Sequence, residues 1–195
     1  YWLYQPLGAG GMGSVYKAID EEDGQILAVK VPPQDRWDDP AIIQALMTEA
    51  QIGAAFGRHP HLVAVVDYGE DEGDHFMATE FCEGERLDNL ITRETEGLPE
   101  EQALTITREI LTALAHIGEC GYLFRDLKPE NVMIEPNGNV RLFDYGLCMT
   151  KEEAARPQSD NDEFEGSPFY VPPERIVGAA EGEYSEIYSL GMIWF

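Results

Sequence analysis

Residues 7–18 read LGAGGMGSVYKA, with four glycines, Gly8, Gly10, Gly11 and Gly13, inside six positions. Glycine loses more conformational freedom on folding than any other residue, so the cluster needs a reason. A flexible turn is one; the other is a phosphate that must come close to exposed backbone amides. What flanks the loop decides the fold. Tyr4 and Leu7 before it, and Val15, Tyr16, Ala18 and Ile19 after it, read as two β-strands, the second running to a charged turn at EEDG, 21–24. A dinucleotide fingerprint needs a helix opening at the third glycine, and a Walker loop needs Gly-Lys-Ser/Thr. Neither follows, so the stretch is strand, loop, strand.

The next strand, ILAVKV at 26–31, is apolar except for Lys30. A buried lone ammonium costs several kcal/mol, so a partner is required. Asp39 and Pro40 make an N-cap and first-turn pair that opens a helix through about Phe56. Its apolar face is read as Ile42, Ala45, Leu46, Ile52 and Phe56, and Glu49 falls on the same stripe, where a solvated glutamate is out of place. Glu49 is therefore the expected partner of Lys30.

Strand signals return at Leu62–Tyr68 and His75–Phe81 around a turn at EDEGD, 70–74, which suggests an antiparallel sheet. After EGERL, 83–87, the period changes: Ala103, Ile106, Ile110, Ala113, Leu114 and Ile117 follow a helix that stops near Gly118 and Gly121. An α+β chain of two parts results, with residues 1–81 β-rich, a connection at 82–85, and a mainly helical remainder at 86–195. The polar, acidic run at 151–166 reads as a mobile surface loop.

Composition narrows the function. The 195 residues include 37 acidic and 13 basic side chains, a formal charge of −24. Such a surface repels nucleic acid and anionic lipid and favours basic partners, or simply keeps the chain soluble. No apolar run is long enough for a membrane span and no leader opens the chain, so a soluble, cytoplasmic domain is expected. Cys82, Cys120 and Cys148 are odd in number and widely spaced, which indicates reduced thiols rather than disulfides or a zinc site.

Two further stretches, YLFRDLKPENVMI at 122–134 and RLFDYGL at 141–147, bring Asp126, Lys128, Asn131 and Asp144 into play. With the glycine pattern Gly8 to Val15, Ala28-Val29-Lys30, Glu49, and GSPFYVPPE at 166–174, six motifs stand in order, and the sequence resembles the eukaryotic-type (Hanks-type) protein kinases, most of all the bacterial serine/threonine kinases. The resemblance implies a bilobal kinase fold with a C-lobe that ends early, and an ATP- and magnesium-dependent protein serine/threonine kinase, with manganese as an alternative metal. Gly8, Gly10 and Gly13 would let a flap close on the triphosphate. Lys30, steadied by Glu49, would contact the α- and β-phosphates. Asn131 and Asp144 would ligate the metal. Asp126 would accept the substrate proton, and Lys128 would lie by the transferred phosphoryl group, in the pattern of serine/threonine rather than tyrosine kinases. Thr79 would sit at the back of the adenine pocket, with Glu80 and Cys82 reading the base and Leu7, Val15, Ala28 and Met133 sandwiching it.

Departures from the family pattern are Phe124 for histidine before Arg125, Tyr145 for phenylalanine, Gly53 where a side chain is usual, and Glu186 for aspartate. The extra methylene of Glu186 is expected to shift the catalytic loop. Arg125 is expected to lack an anion unless the 145–170 segment supplies one, through phosphorylated Thr150 or Ser159 or through Glu152, Glu153, Asp160, Asp162 or Glu163. The resemblance implies that Glu174 pairs with an arginine in a part of the family fold that follows residue 195. Leu190, Met192, Ile193, Trp194 and Phe195 are expected to lie without packing partners and to drive self-association or binding of a helical partner. The alternative function is a pseudokinase or nucleotide-binding scaffold.

Overall fold

A computed structural model describes residues 1–11, 13–157 and 168–194. The chain divides into two compact units, Tyr1–Arg58 with Val63–Cys82, and His59–Leu62 with Glu83–Phe195.

The first unit is an antiparallel five-stranded sheet in the order β1 (Trp2–Gly10), β2 (Gly13–Ile19), β3 (Ile26–Val31), β5 (Asp74–Glu80), β4 (Val65–Asp71), with one helix, α1 (Pro40–Phe56). In β3 the pleat separates Leu27 and Val29, both 2% exposed, from Ala28 and Lys30. The first pair packs with Ala18 and Ala78 into one core cluster. A second cluster joins Leu46 and Ala50 of α1 to Met77 of β5. The β4–β5 hairpin turns at Glu72 and Gly73, with φ of 51° and 95°, the pair of positive angles that matches a tight turn to strand twist.

Asp39 caps α1 as its sequence requires, accepting the Ala41 N–H at 2.9 Å. The buried stripe of α1 is Leu46, Glu49, Ala50, Gly53 and Phe56, at spacings of three and four. It is rotated from the expected face: Ala45 is exposed and Ile42 only half-buried, because the helix turns the Glu49 side inward. Leu62 is not in β4; it bridges in parallel to Leu142 within the second unit.

The second unit carries α2 (Leu87–Arg93), α3 (Glu100–Glu119), the short α5 (Pro173–Ile176) and α6 (Glu183–Ile193). A three-stranded sheet runs β6 (Glu85–Arg86), β8 (Val132–Ile134), β9 (Val140–Leu142), and β7 (Tyr122–Leu123) pairs with β10 (Met149–Thr150). Ile106, Ile110, Ala113 and Ile117 form the buried face of α3, which packs on β7 and β9. The first part of the expected surface loop is instead a short helix, α4 (Lys151–Ala154), in which Thr150 and Glu153 form a capping box and Ala154 is 2% exposed. Ser159, Asp160, Asp162, Glu163 and Phe195 lie outside the described residues. Along α6 the apolar residues divide: Leu190 and Ile193 are buried, correcting the expectation that they lack packing, whereas Tyr184, Ile187 and Tyr188 are exposed. Among the described residues no helix is long and apolar enough to cross a membrane, and none of the three cysteines is in a disulfide.

Candidate functional site

In the first unit the glycine loop joins β1 to β2 with Gly10 opposite Gly13. The glycines serve different needs. Gly13 has φ of 149°, and a Cβ there would stand 2.5 Å from the Val31 carbonyl oxygen, so the fold itself demands glycine. At Gly8 and Gly10 a Cβ would meet nothing within 4 Å, so that side of the loop is open. Val15 pairs with Lys30, and Lys30 with Met77, which fixes the lysine mid-sheet. Lys30 Nζ donates to Glu49 Oε2 at 2.6 Å, with side chains 14% and 4% exposed. The charged residue in an apolar strand and the glutamate on an apolar helix stripe thus answer one another.

On the same sheet, Thr79 pairs with Ala28 and donates from Oγ1 to its carbonyl at 3.3 Å. The Glu80 N–H donates to the Ala64 carbonyl at 2.9 Å, which commits that donor within the unit. Val15, Ala28, Thr79, Glu80 and Cys82 are half-buried, while Leu7 is 43% exposed.

In the second unit, Asp126 is 8% exposed, and its Oδ2 accepts from Lys128 Nζ at 2.6 Å and Asn131 Nδ2 at 2.7 Å. Asn131 also donates to the Asp126 carbonyl at 3.0 Å, and its own carbonyl takes the Phe143 N–H at 3.2 Å, one residue before Asp144. Pro129–Asn131 form a single 3₁₀ turn, which folds Asn131 back toward Asp126. Asp144 is exposed, at φ of 70°, a strained angle for a residue with a Cβ. Met133 is half-buried on β8, paired with Arg86 and Arg141. Phe124, fully buried, meets Tyr145 edge to face at 6.3 Å between centroids, and the Tyr145 hydroxyl reaches the Leu142 carbonyl at 3.3 Å. Both aromatic departures are therefore absorbed by packing.

Arg125 also has a positive φ, 66°. Its N–H donates to Glu186 Oε1 at 2.8 Å, so the longer carboxylate does hold the loop that it was expected to shift. Burial pushes Glu186 up to about 7 against the hydrogen bonds that it accepts. Among the described residues the anion for Arg125 is none of Thr150, Glu152 and Glu153 of the expected segment. It is Glu181, whose Oε1 accepts from Arg125 Nη2 at 2.7 Å and Nε at 3.1 Å. Glu181 Oε2 takes the Arg175 fork, Nε at 2.8 Å and Nη2 at 2.5 Å, and Arg175 Nη1 donates to the Arg125 carbonyl at 2.6 Å. Burial would raise the Glu181 carboxyl, but bonds from Arg175 and Arg125 hold it below its ordinary value. Glu174 accepts from the Ser185 hydroxyl. Sequence reasoning missed Glu181; the available signal was a carboxylate within the small-residue run VGAAEG, 177–182.

The residues present suit a hard cation. Nδ2 of Asn131 is engaged, which leaves its amide oxygen as a donor, and Asp144 is exposed; oxygen donors of these kinds suit magnesium. Among the described residues there is no group of three or more His, Cys, Asp or Glu placed to cage a metal.

Comparison with known proteins places the chain. It matches the family model described as protein kinase domain over residues 1–195. It is 35% identical over 198 residues to serine/threonine-protein kinase pkn2 of Myxococcus xanthus, covering 99% of this chain and 23% of that protein. It is 31% identical over 195 residues to serine/threonine-protein kinase PrkC of Bacillus subtilis, covering all of this chain and 30% of that one. With serine/threonine-protein kinase PknA of Mycobacterium tuberculosis the identity is 32% over 200 residues, covering this chain entirely and 46% of the other. The chain thus spans between about a quarter and a half of the length of these relatives.

Proposed function

The chain belongs to the protein kinase domain family, and from that premise we propose that it transfers the γ-phosphoryl group of ATP to serine or threonine hydroxyls of protein substrates. The observation that carries the reading is Asp126, a nearly buried carboxylate held on one oxygen by Lys128 and Asn131. Among the described residues both side-chain bonds to it fall on Oδ2, which leaves Oδ1 to accept the substrate hydroxyl proton. Lys128 would steady charge on the transferred group. Lys30 would orient the α- and β-phosphates from its pair with Glu49, and the open sides of Gly8 and Gly10 let backbone amides come close to phosphate oxygens. Magnesium, or manganese in its place, would be held by Asn131 and Asp144 and would offset phosphate charge when bound.

For adenine, the reading assigns Thr79, the Glu80 carbonyl and the Cys82 backbone to the edge and Leu7, Val15, Ala28 and Met133 to the faces. Residues 1–81, apart from His59–Leu62, which belong to the second unit, would form the N-lobe, 82–85 the hinge and 86–195 the C-lobe side. A cytoplasmic setting and basic protein substrates suit the charge of −24. The relatives are named as kinases, which gives no support to a scaffold without turnover.

The test is magnesium-dependent incorporation of labelled phosphate into a basic protein, compared with Asp126→Asn. Loss of the base should lower kcat by about a hundredfold or more while nucleotide binding persists. Equal rates in the two proteins would refute the assignment.

A further inference from the structure

Arg125, next to the catalytic aspartate, is held on three sides by residues 175–186. Glu186 takes its N–H at 2.8 Å, Arg175 gives to its carbonyl at 2.6 Å, and Glu181 takes its guanidinium at 2.7 Å and 3.1 Å. The side chains of Arg125, Glu181 and Arg175 are 10%, 1% and 6% exposed, so water competes little for these bonds. A residue with a Cβ stays at φ of 66° only where its surroundings over-determine it, and this clamp does so.

We propose that Glu181 and Arg175 are positioning residues for phosphoryl transfer, and that the Glu181 carboxylate is a permanent, built-in anion for Arg125, so that the catalytic loop is set without phosphorylation of the chain. An incoming phosphate would have to displace a carboxylate that is 1% exposed and also bound by a second arginine. Thr150, the one nearby hydroxyl among the described residues of 148–157, is spent as the N-cap of α4 and donates to Glu153 Oε2 at 2.5 Å. A phosphate there would face Glu153, a like charge. Glu181 and Arg175 touch no reacting atom; they act through Arg125 on the placement of Asp126.

The inference rests on the kinase reading and is tested in the full-length protein. Misplacing a catalytic group by about an ångström costs on the order of a hundredfold in rate. Glu181→Gln, which keeps size and loses charge, should lower kcat by about tenfold or more, with KM for ATP changed less than about threefold. Amide exchange at residues 124–126 should speed up in the same variant. Treating the unsubstituted protein with a phosphatase should change its rate by less than about threefold. Unchanged kcat and exchange in Glu181→Gln would overturn the clamp. Loss of more than about tenfold on phosphatase treatment would overturn the built-in anion, and this arm stands even if the variant does not fold. A parent protein that transfers no phosphate, like its Asp126→Asn control, refutes the kinase reading and the catalytic part with it; the exchange arm then decides the clamp alone.

Discussion

Glu186 is the side chain whose charge the fold handles least comfortably. It is 6% exposed, accepts the Arg125 N–H, and is pushed up to about 7 from an ordinary value near 4.5. A carboxyl raised on folding binds its proton more tightly in the native state. The fold therefore gains most below about pH 4.5 and loses that advantage as pH rises to about 7. The full loss is about 3 kcal/mol, of which about 2 kcal/mol falls between pH 5.5 and 8. Glu186→Gln keeps an oxygen for the Arg125 N–H and removes the titration. For a chain of this size about 2 kcal/mol moves Tm by roughly 4–8 °C. Thermal unfolding of both proteins across that range should show the parent losing stability relative to the variant by this amount. Parallel curves would refute the reasoning, because the backbone bonds would then be holding Glu186 ionised throughout.

Lys30→Met leaves Glu49 buried without its cation and should lower stability by about 3 kcal/mol in denaturant unfolding, in addition to impairing phosphate placement. Asp144→Asn should weaken magnesium-dependent nucleotide binding by about tenfold or more, since even groups that merely support a metal ligand are worth that much; titration calorimetry with and without magnesium reads it. The exposed Tyr184, Ile187 and Tyr188 of α6 leave self-association of the 195-residue chain as the expected outcome in sedimentation, weakened by Ile187→Ser with Trp194→Ser, and a monomer across the micromolar range would refute it.

Much of the first unit was legible because each anomaly had one local cause. Lys30 in an apolar strand called for an anion, and Glu49 was the one acid on the facing stripe. Asp39-Pro40 marked the helix start at its true place. The period of α1 was read less well: Ala45 and Ile52 are as apolar as Ala50, and composition alone does not say that the Glu49 side turns inward. In the second unit Asp126, Lys128 and Asn131 were legible through the resemblance of their motif to the kinase family, and in the structure one turn joins them. Glu181 was not, since it lies 56 residues from Arg125 in a run with no period, and its one local mark, a carboxylate among small residues, names no partner. The place of Arg125 beside Asp126 did call for an anion, which was sought in 145–170, whereas among the described residues it is Glu181.

The three motif glycines, so alike in the sequence, would separate in a library of substitutions. Scored by yield of folded protein, alanine should be rejected at Gly13, where it would strike the Val31 carbonyl, and accepted at Gly8 and Gly10, where it meets open space. Scored by turnover, all three positions should be rejected. One short motif thus records two selections, for folding and for catalysis, and only the difference between the screens assigns each glycine to its own.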